Sequence, residues 1–371
     1  MSSIVCKFGG SSVCDAGMFL RVKEILLACP ERKYIVLSAP GKRTMDDEKI
    51  TDLLYRAYEA GCAGDQFIFA QIFQRYASIR DRLAPKFDLE AEFASIRRNS
   101  RISADFAVSR GEYLCAKLFA AFMDLPFVDA ADLFIFGDNG IDYEETRRRI
   151  QEKLLPLGRA VVPGFYGSTR DCGVRTFTRG GSDVSGALLA AALDADCYEN
   201  WTDVDGLFSA DPNIVPEAAR HSCVGLTQME RIARAGAKLL HPDALIPLKG
   251  TGIQTIIKNT HAPDAPGTAI CEFYLPTVPC VTGITGLYMM ESPGGASSDI
   301  LLHPTPISGA RRVDAISAFG MPDEALDAVK ASVNPIHIIH MQDHKQIIIE
   351  EGRYAESVRK IHSILMLDNI I

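Results

Sequence analysis

Two short glycine-rich segments, far apart in this chain of 371 residues, constrain its fold more than any other feature. One has the sequence Lys-Phe-Gly-Gly-Ser-Ser at 7–12, and the other has Thr-Arg-Gly-Gly-Ser-Asp at 178–183. Each follows an apolar run typical of a strand and precedes a segment with helical spacing. Paired glycines let backbone N–H groups approach an anion, and the following helix points its positive end toward it. With the charges of Lys7, Arg179 and Asp183, the loops predict a site for a phosphorylated ligand and a second, acidic ligand.

The first two thirds of the chain alternate between short apolar runs and segments with helical periodicity. This alternation predicts an α/β fold in which a mostly parallel sheet is sandwiched between helices. The predicted strands span residues 3–8, 34–38, 127–129, 160–163, 174–177, 197–201 and 254–258. The predicted helices span residues 18–29, 49–61, 65–83, 89–97, 105–123, 184–193, 226–235 and 242–249.

The pattern changes after residues 260–267, which are rich in Pro, Ala and Asp and typical of a linker. Two further strands are predicted on either side of a loop at 292–299. A strand-helix-strand-strand-helix order follows, which predicts a small C-terminal α+β domain of ferredoxin-like type. The elements of this region span residues 281–291, 300–303, 313–319, 323–332, 336–341, 346–350 and 354–366.

The charge balance and the cysteine spacing exclude several classes of protein. A formal net charge of −8 gives no general attraction for nucleic acid or an anionic membrane. No apolar run approaches the ~18 residues of a transmembrane helix, and the N-terminus lacks the pattern of a signal peptide. The ten cysteines include no Cys-x-x-Cys pair, so neither a zinc site nor a disulfide framework is expected. We therefore expect a cytoplasmic protein with reduced thiols.

The first glycine-rich loop has the groups needed to hold a phosphate that is being transferred. Gly9, Gly10 and Ser11 can present N–H groups to phosphate oxygens, and Lys7 can neutralise the charge that develops there. The structural alternative is a tight turn beside a surface lysine. The chain contains no Gly-x-x-x-x-Gly-Lys-[Ser/Thr] sequence, so a Walker-type P-loop is excluded.

The second loop and the strand after it supply further candidates. Arg179 can contact a carboxylate through two N–H groups, while Asp183 either caps the next helix or holds a lysine or a metal ion. Thr202 and Asp203 follow a predicted parallel strand, at the end of the sheet where nucleotides bind in such folds. Phe208, further along the same segment, is a candidate contact for the base. An Asp-Gly turn is the structural alternative for this segment.

Three more positions carry candidate side chains. Lys238 lies between two predicted helices and is a candidate contact for a nucleotide phosphate. Glu112 lies on a predicted helix, where it either binds an amino group or is simply solvated. Thr51 lies near the start of a predicted helix and either contacts a substrate or caps that helix.

The sequences and the order of these motifs closely resemble those of the aspartate kinases in the amino-acid kinase superfamily. The similarity extends from about residue 3 to residue 268. The shared motifs are Lys-Phe-Gly-Gly-Ser-Ser-Val at 7–13, Ser-Ala-Pro-Gly-Lys-Arg at 38–43, Thr-Asp-Leu-Leu at 51–54, Ser-Arg-Gly-Glu at 109–112, Pro-Gly-Phe at 163–165, Arg-Gly-Gly-Ser-Asp at 179–183, Trp-Thr-Asp-Val at 201–204 and Gly-Ala-Lys-Leu-Leu-His-Pro at 236–242.

The resemblance implies ATP-dependent phosphorylation of the side-chain carboxylate of L-aspartate, a step toward lysine, threonine, methionine and diaminopimelate. Mg²⁺ would bridge the ATP phosphates, held mostly by phosphate and water oxygens and by no ligand from the protein. The residues that the resemblance assigns to catalysis are Lys7 and Asp183. Those that it assigns to aspartate are Thr51, Glu112, Arg179 and Ser182. Those that it assigns to the nucleotide are Lys7, Gly9, Gly10, Ser11, Thr202, Asp203, Phe208, Asp211 and Lys238.

The resemblance also implies two domains, a catalytic domain at 1–275 and a shortened ACT-like domain at 276–371 that pairs subunits in a homodimer. The chain departs from the family in two places. Asn213 stands where the family often has an arginine. Of the usual two ACT units, we expect the first to be deleted or remodelled and the second to be incomplete. We therefore expect reduced or altered feedback regulation. The alternatives are a kinase of the same fold for another acidic amino acid, and a non-catalytic regulatory or binding subunit.

Overall fold

The computed structural model of the chain describes residues 2–177, 180–272, 277–291 and 300–368. The chain divides into two compact units, one of Met1–Asp205 with Asp243–Ala269 and the other of Gly206–Pro242 with Ile270–Ile371. The segment 206–242 therefore interrupts the first unit in sequence and belongs with the C-terminal residues. The predicted catalytic and ACT-like division at 275/276 lies outside the described residues and stays a prediction.

Strands and helices alternate through the first unit, as the sequence predicts. Its strands are β1 (Ile4–Phe8), β2 (Arg32–Leu37), β3 (Ile135–Gly137), β4 (Gly140–Ile141), β5 (Ala160–Pro163), β6 (Tyr166–Thr169), β7 (Val174–Thr176), β8 (Cys197–Thr202) and β10 (Gln254–Asn259). Its helices are α1 (Ala16–Leu27), α2 (Ile50–Glu59), α3 (Gly61–Leu83), α4 (Leu89–Asn99), α5 (Ala104–Met123), α6 (Tyr143–Leu154) and α7 (Gly181–Ala192). The predicted α/β class is confirmed.

The central sheet of this unit is parallel and runs in the order β5-β2-β1-β8-β10. Strands β1, β2 and β5 carry buried, largely apolar runs, which is typical of parallel strands covered by helices on both faces. Phe8 at the end of β1 pairs in register with Trp201 in β8. The loops that follow β1 and β8 therefore leave the sheet side by side, at its carboxyl edge. A smaller mixed sheet has the order β4-β3-β6-β7.

The helices form a continuous core against this sheet. Leu118 and Phe119 on α5 and Phe19 on α1 are fully buried, and the rings of Phe19 and Phe119 meet edge to face at 5.2 Å. The helix ends are set by local hydrogen bonds. Asp15 accepts from the backbone N–H of Met18 and so caps α1. No helix among the described residues is both long enough and apolar enough to cross a bilayer.

The second unit is built on an antiparallel sheet of order β13-β12-β14-β16-β15 with helices packed against it. The predicted α+β order is confirmed. Its elements are β9 (Cys223–Gly225), α8 (Leu226–Arg234), β12 (Cys280–Glu291), β13 (Ile300–His303), β14 (Arg311–Phe319), α9 (Leu326–Val333), β15 (His337–His340), β16 (His344–Glu350) and α10 (Tyr354–Asp368), while β11 (Thr268–Cys271) spans the division between the units. The core contains Ala210 and Val215 beside Ile316, Ile347 and Ile361, so the segment 206–242 is part of it.

Several details differ from the sequence predictions, which missed the short strands β3, β4, β6, β9 and β11. The strand predicted at 127–129 is wrong, because only Phe127 makes an isolated bridge, to Val161. The helix predicted at 242–249 is a 3₁₀ helix, Pro242–Leu248, with a proline inside it. The helix predicted from 184 begins at Gly181, because Gly180 takes a left-handed conformation with φ of 78°. Helix α6 was not predicted, because only Thr146, Ile150 and Leu154 along it are buried.

One buried ion pair ties the sheet together at the amino end of β2. Arg32 donates from Nε and Nη2 to the two carboxylate oxygens of Glu199, at 2.8 and 3.1 Å. Trp201 also donates from Nε1 to Glu199, at 2.9 Å. The side chains of Arg32 and Glu199 are 12% and 7% exposed. If either charged group were removed, the other would stay buried, with little water available to solvate its charge.

We predict that Arg32→Met lowers the free energy of unfolding by about 3–5 kcal/mol, because it leaves the Glu199 carboxylate buried without its cation. The control is Arg21→Met, which breaks an exposed pair with Glu24 and should cost about 0–1 kcal/mol. Adding Glu199→Gln to Arg32→Met should restore part of the loss, since a neutral amide is cheaper to bury. Urea unfolding measures the stability of all of these variants. Equal losses of unfolding free energy in Arg32→Met and Arg21→Met would contradict the prediction.

Candidate functional site

A buried ion pair joins the two glycine-rich loops. Nζ of Lys7, on β1, lies 2.5 Å from Oδ1 of Asp183, in the first turn of α7. Lys7 and Asp183 are only 7% and 8% exposed. Asn200 on β8 donates from Nδ2 to the same oxygen at 3.1 Å. The sequence left open whether Asp183 holds a lysine or a metal ion or caps α7. The structure shows contact with Lys7. Asp183 is not the N-cap of α7, because that position belongs to Gly180.

The close approach of α7 to the sheet depends on a glycine. A Cβ added at Gly186 would lie 2.7 Å from the ring of Tyr198 and 3.0 Å from Cβ of Lys7. Tyr198 in turn donates its hydroxyl hydrogen to the carbonyl oxygen of Asp183 at 3.0 Å. The helix is therefore held near enough to β1 and β8 for the Lys7–Asp183 contact to form.

The loop after β1 packs backbone to backbone against the loop after β2. The N–H of Gly41 donates to the carbonyl of Gly10 at 2.8 Å, and a Cβ at Gly10 would lie 2.9 Å from the carbonyl oxygen of Ala39. The N–H of Gly9 donates to the carbonyl of Trp201 at 3.0 Å. Ser11 lies in the 3₁₀ turn Gly10–Val13, which follows Gly9. This backbone contact fixes the position of the glycine-rich loop.

Glu112, on α5, is buried near the same loop. It is 4% exposed, and its Oε2 has no hydrogen-bond partner among the described residues. The backbone of Ala39 hydrogen-bonds to its carboxylate, but burial outweighs this contact and raises the pKa of Glu112 from 4.5 to about 8. A buried carboxyl group with an unpaired oxygen is suited to a cationic group. The alternative of a solvated glutamate is wrong for Glu112.

The other residues predicted to bind the acidic ligand lie on separate elements of the first unit. Ser182 is buried in the first turn of α7. It packs closely on Gly164, because a Cβ added at Gly164 would lie 2.7 Å from Cβ of Ser182. Thr51 is half-buried in the first turn of α2, whose N-cap is Lys49, so Thr51 does not cap that helix. Arg179 lies outside the described residues.

The residues predicted to bind the nucleotide are divided between the two units. Thr202 ends β8, and its hydroxyl lies 3.2 Å from Oδ1 of Asp203. Phe208, Asp211 and Lys238 belong to the segment 206–242 of the second unit. Oδ1 of Asp211 accepts from the backbone N–H of Asn213 at 2.9 Å. Lys238 is exposed and Phe208 is half-buried.

Two polar residues of this region were missed from the sequence. Asn200 is fully buried in β8, and two adjacent polar residues, Glu199 and Asn200, in a predicted buried strand are a signal that could have identified it. Arg75 is 5% exposed on α3 and donates to the carbonyl oxygens of Gly41 and Glu48. Arg75 therefore holds both ends of the loop that packs on the glycine-rich loop. Nothing in the sequence near Arg75 distinguishes it from a solvated helix arginine.

We predict that Arg75→Met lowers the free energy of unfolding by about 2–5 kcal/mol, because the buried carbonyl of Gly41 and the half-buried carbonyl of Glu48 lose their donor. The matched control is Arg56→Met, since Arg56 contacts the same Glu48 through an exposed ion pair and should contribute about 0–1 kcal/mol. Chemical unfolding of both variants gives the comparison. A loss in Arg75→Met as small as that in Arg56→Met would contradict the assigned role.

The raised pKa of Glu112 predicts a pH-dependent stability. Between pH 4.5 and about 8 the folded protein retains a proton on Glu112 that the unfolded chain releases. The contribution of this group therefore makes the protein less stable as the pH rises through that window. Glu112→Gln removes the titration, so the stability of wild type relative to this variant should fall from pH 5 to pH 8. Urea unfolding across that range measures it, with the exposed Glu59→Gln as the control. A pH-independent difference would contradict the prediction.

Comparison with known proteins identifies the family. The sequence profile of the Amino acid kinase family matches residues 2–259. The chain is 34% identical over 285 residues to Aspartokinase 3 of Bacillus subtilis, covering 72% of this chain and 63% of that one. It is 30% identical over 295 residues to the lysine-sensitive aspartokinase 3 of Escherichia coli, covering 72% and 64%. The chain thus spans less than two thirds of the length of these curated relatives.

Solved structures agree with this match. The aspartate kinase of Clostridium acetobutylicum superposes with a TM-score of 0.77 at 29% identity, over 99% of this chain and all of that one. The E. coli aspartokinase III in complex with aspartate and ADP superposes with a TM-score of 0.84 over 98% of this chain and all of that one. At 21% identity the second likeness shows the fold alone. The chain belongs to the amino acid kinase family, and the curated relatives described here are aspartokinases.

Proposed function

We propose that this protein transfers the γ-phosphoryl group of ATP to the side-chain carboxylate of L-aspartate, forming 4-phospho-L-aspartate. The observation that carries the proposal is the buried Lys7–Asp183 ion pair beside the glycine-rich loop after β1. The curated relatives are named aspartokinases, and a solved protein of the same fold is described in complex with aspartate and ADP. These names support the choice of aspartate and ATP as the substrates.

Lys7 would be the main electrostatic catalyst. Transfer to a carboxylate brings two anions together, so the transition state needs positive charge that is already in place. Asp183 holds the Lys7 ammonium at a fixed position, and Asn200 holds the carboxylate of Asp183. The acceptor carboxylate is ionised at neutral pH, so the reaction needs no general base. Asp183 would therefore act by positioning Lys7.

The glycine-rich loop would hold the phosphate that is transferred. The N–H of Gly9 already donates to Trp201, so Gly9 would serve mainly to keep the space beside Nζ of Lys7 open. A Cβ at Gly9 would lie 3.5 Å from that nitrogen. Gly10 and Ser11 would provide backbone N–H groups to the phosphate oxygens. Substrate and lysine could then approach each other closely.

Aspartate would lie against Glu112, Thr51, Ser182 and Arg179. Glu112 would bind the amino group, because a buried carboxyl with an unpaired oxygen gains most from a cation. The ammonium group would lower the pKa of Glu112, so binding near neutral pH would release a proton. Arg179 would bind a carboxylate through its two-pronged guanidinium, and Thr51 and Ser182 would donate from their hydroxyls.

The nucleotide would be bound by Thr202, Asp203, Phe208, Asp211 and Lys238. The aromatic ring of Phe208 suits the base, and the ammonium group of Lys238 suits a phosphate. Among the described residues, no three His, Cys, Asp or Glu side chains are arranged to hold a metal ion. We propose that phosphate and water oxygens hold Mg²⁺ on the ATP, with no ligand from the protein.

We also propose that the second unit is a shortened ACT-like domain, that it pairs subunits in a homodimer, and that feedback regulation is reduced or altered. The order β14-α9-β15-β16-α10 provides one α+β unit, to which β12 and β13 add an antiparallel edge. A single unit of this kind supports subunit pairing more readily than the binding of a feedback amino acid between two units.

The test is an assay with ATP, Mg²⁺ and L-aspartate in which hydroxylamine traps the acyl phosphate. We expect aspartyl hydroxamate from the wild-type protein, unchanged by lysine or threonine. Lys7→Met should lower kcat/KM by about 10²–10³-fold, because it removes a preorganised charge at the transferring group. The control is Lys86→Met at an exposed position, with circular dichroism to confirm that both variants fold.

Three other outcomes would be informative. Hydroxamate formation by Lys7→Met at the wild-type rate would remove Lys7 from the mechanism. Binding of ATP without hydroxamate would favour another acidic amino acid, which a substrate panel tests, or a non-catalytic subunit. Inhibition by lysine or threonine would contradict reduced regulation while leaving the proposed reaction intact.

A further inference from the structure

Two cysteines of the second unit lie with their sulfur atoms in direct contact. Cys223 begins β9 and Cys271 ends β11, which are neighbouring strands. Their Sγ atoms are 2.7 Å apart. Both side chains are half-buried, so a small molecule in solution can reach them. Among the nine cysteines whose side chains the structure describes, no other pair has its sulfurs within hydrogen-bonding distance.

We propose that Cys223 and Cys271 form a reversible disulfide by exchange with a small-molecule disulfide such as oxidised glutathione. One protein thiolate attacks the small disulfide, forms a mixed disulfide and releases one thiol. The second protein thiolate then attacks the protein sulfur of the mixed disulfide and releases the other thiol. Two protein S–H groups are thereby oxidised to one S–S bond, and the small disulfide is reduced to two thiols.

Burial and the distance between thiols explain why Cys223 and Cys271 would form a disulfide when the cysteines compared below would not. Cys6, Cys115 and Cys280 are buried, and burial raises the pKa of each thiol. Cys172 is exposed, but it has no second described cysteine in contact, so it would stop at a mixed disulfide. At Cys223 and Cys271 the second thiol is already in contact with the first. Its high effective concentration favours formation of the protein disulfide over a stable mixed disulfide with the small molecule.

Oxidation would be slow at neutral pH. Burial and the neighbouring thiol of Cys271 raise the pKa of Cys223 to about 11, so little of its thiolate is present. The bond would therefore form under sustained oxidation and would be favoured by a mildly alkaline medium. Because the two residues are distant in sequence, the bond would also restrict the unfolded chain and raise the melting temperature of the oxidised protein.

The experiment uses the full chain, reduced, freed of reductant and incubated with oxidised glutathione at mildly alkaline pH. Intact mass and non-reducing peptide mapping then identify the products. We expect the wild-type protein to lose about 2 Da through the new bond, apart from any glutathione adducts at other cysteines. The map should contain a peptide linked between Cys223 and Cys271, and dithiothreitol should release it. The melting temperature should rise with the linked fraction.

Matched variants make the result decisive. Cys172→Ser removes an exposed cysteine outside the pair and should still give the linked peptide. Cys223→Ser and Cys271→Ser should give none, and each should carry a stable glutathione adduct on its remaining partner. Free Cys223 and Cys271 thiols in the treated wild-type protein, or adducts there without the linked peptide, would overturn the proposal. Mapping of the wild-type protein alone decides this if a variant does not fold.

Discussion

The contact between Lys7 and Asp183 is the interaction on which the rest of the candidate site depends. Lys7 is only 7% exposed, so its ammonium group needs a counter-ion, and the chain supplies it from a helix that starts some 170 residues later. Three features bring the two together: the pairing of β1 with β8, the small size of Gly186, and the early start of α7 at Gly181. The ion pair therefore forms only if the strand order, the packing of α7 and the placement of the two charges are all correct.

A second constraint is the lack of space between the loops after β1 and β2. Gly10 and Gly41 touch through their backbones, and a Cβ at Gly41 would lie 2.6 Å from the carbonyl carbon of Gly10. Arg75 fixes the second of these loops through two carbonyl oxygens, and the backbone of Ala39 in the same loop hydrogen-bonds to Glu112. The loop after β2 thus positions both the glycine-rich loop and the buried carboxyl group. A shift in it would disturb both together.

Sequence patterns predicted most strands and helices, which depend on local residues. They did not predict the buried side chains whose positions depend on packing between distant elements. The strand before Gly9 and the C-terminal α+β order follow from apolar runs and periodicity, and the structure agrees within a few residues. The burial of Glu112 could not be predicted, because it depends on α2 and the loop after β2 closing over α5. Nor could the role of Arg75, whose acceptors are backbone carbonyls of a different element. Helix α6 escaped prediction because its buried face is a single row, Thr146, Ile150 and Leu154, within an otherwise charged and polar segment.

The segment 206–242 depends on the C-terminal residues for its conformation. Ser209 hydrogen-bonds through Oγ to Nε2 of His362 on α10 at 2.9 Å, and its carbonyl accepts from the N–H of Val281 at 2.8 Å. Ala210 beside it is part of the C-terminal core. Phe208 and Asp211, which we propose for the nucleotide, flank these anchored residues. Their conformation therefore depends on the C-terminal core being folded. The second unit therefore sets the conformation of two residues that we propose for the nucleotide.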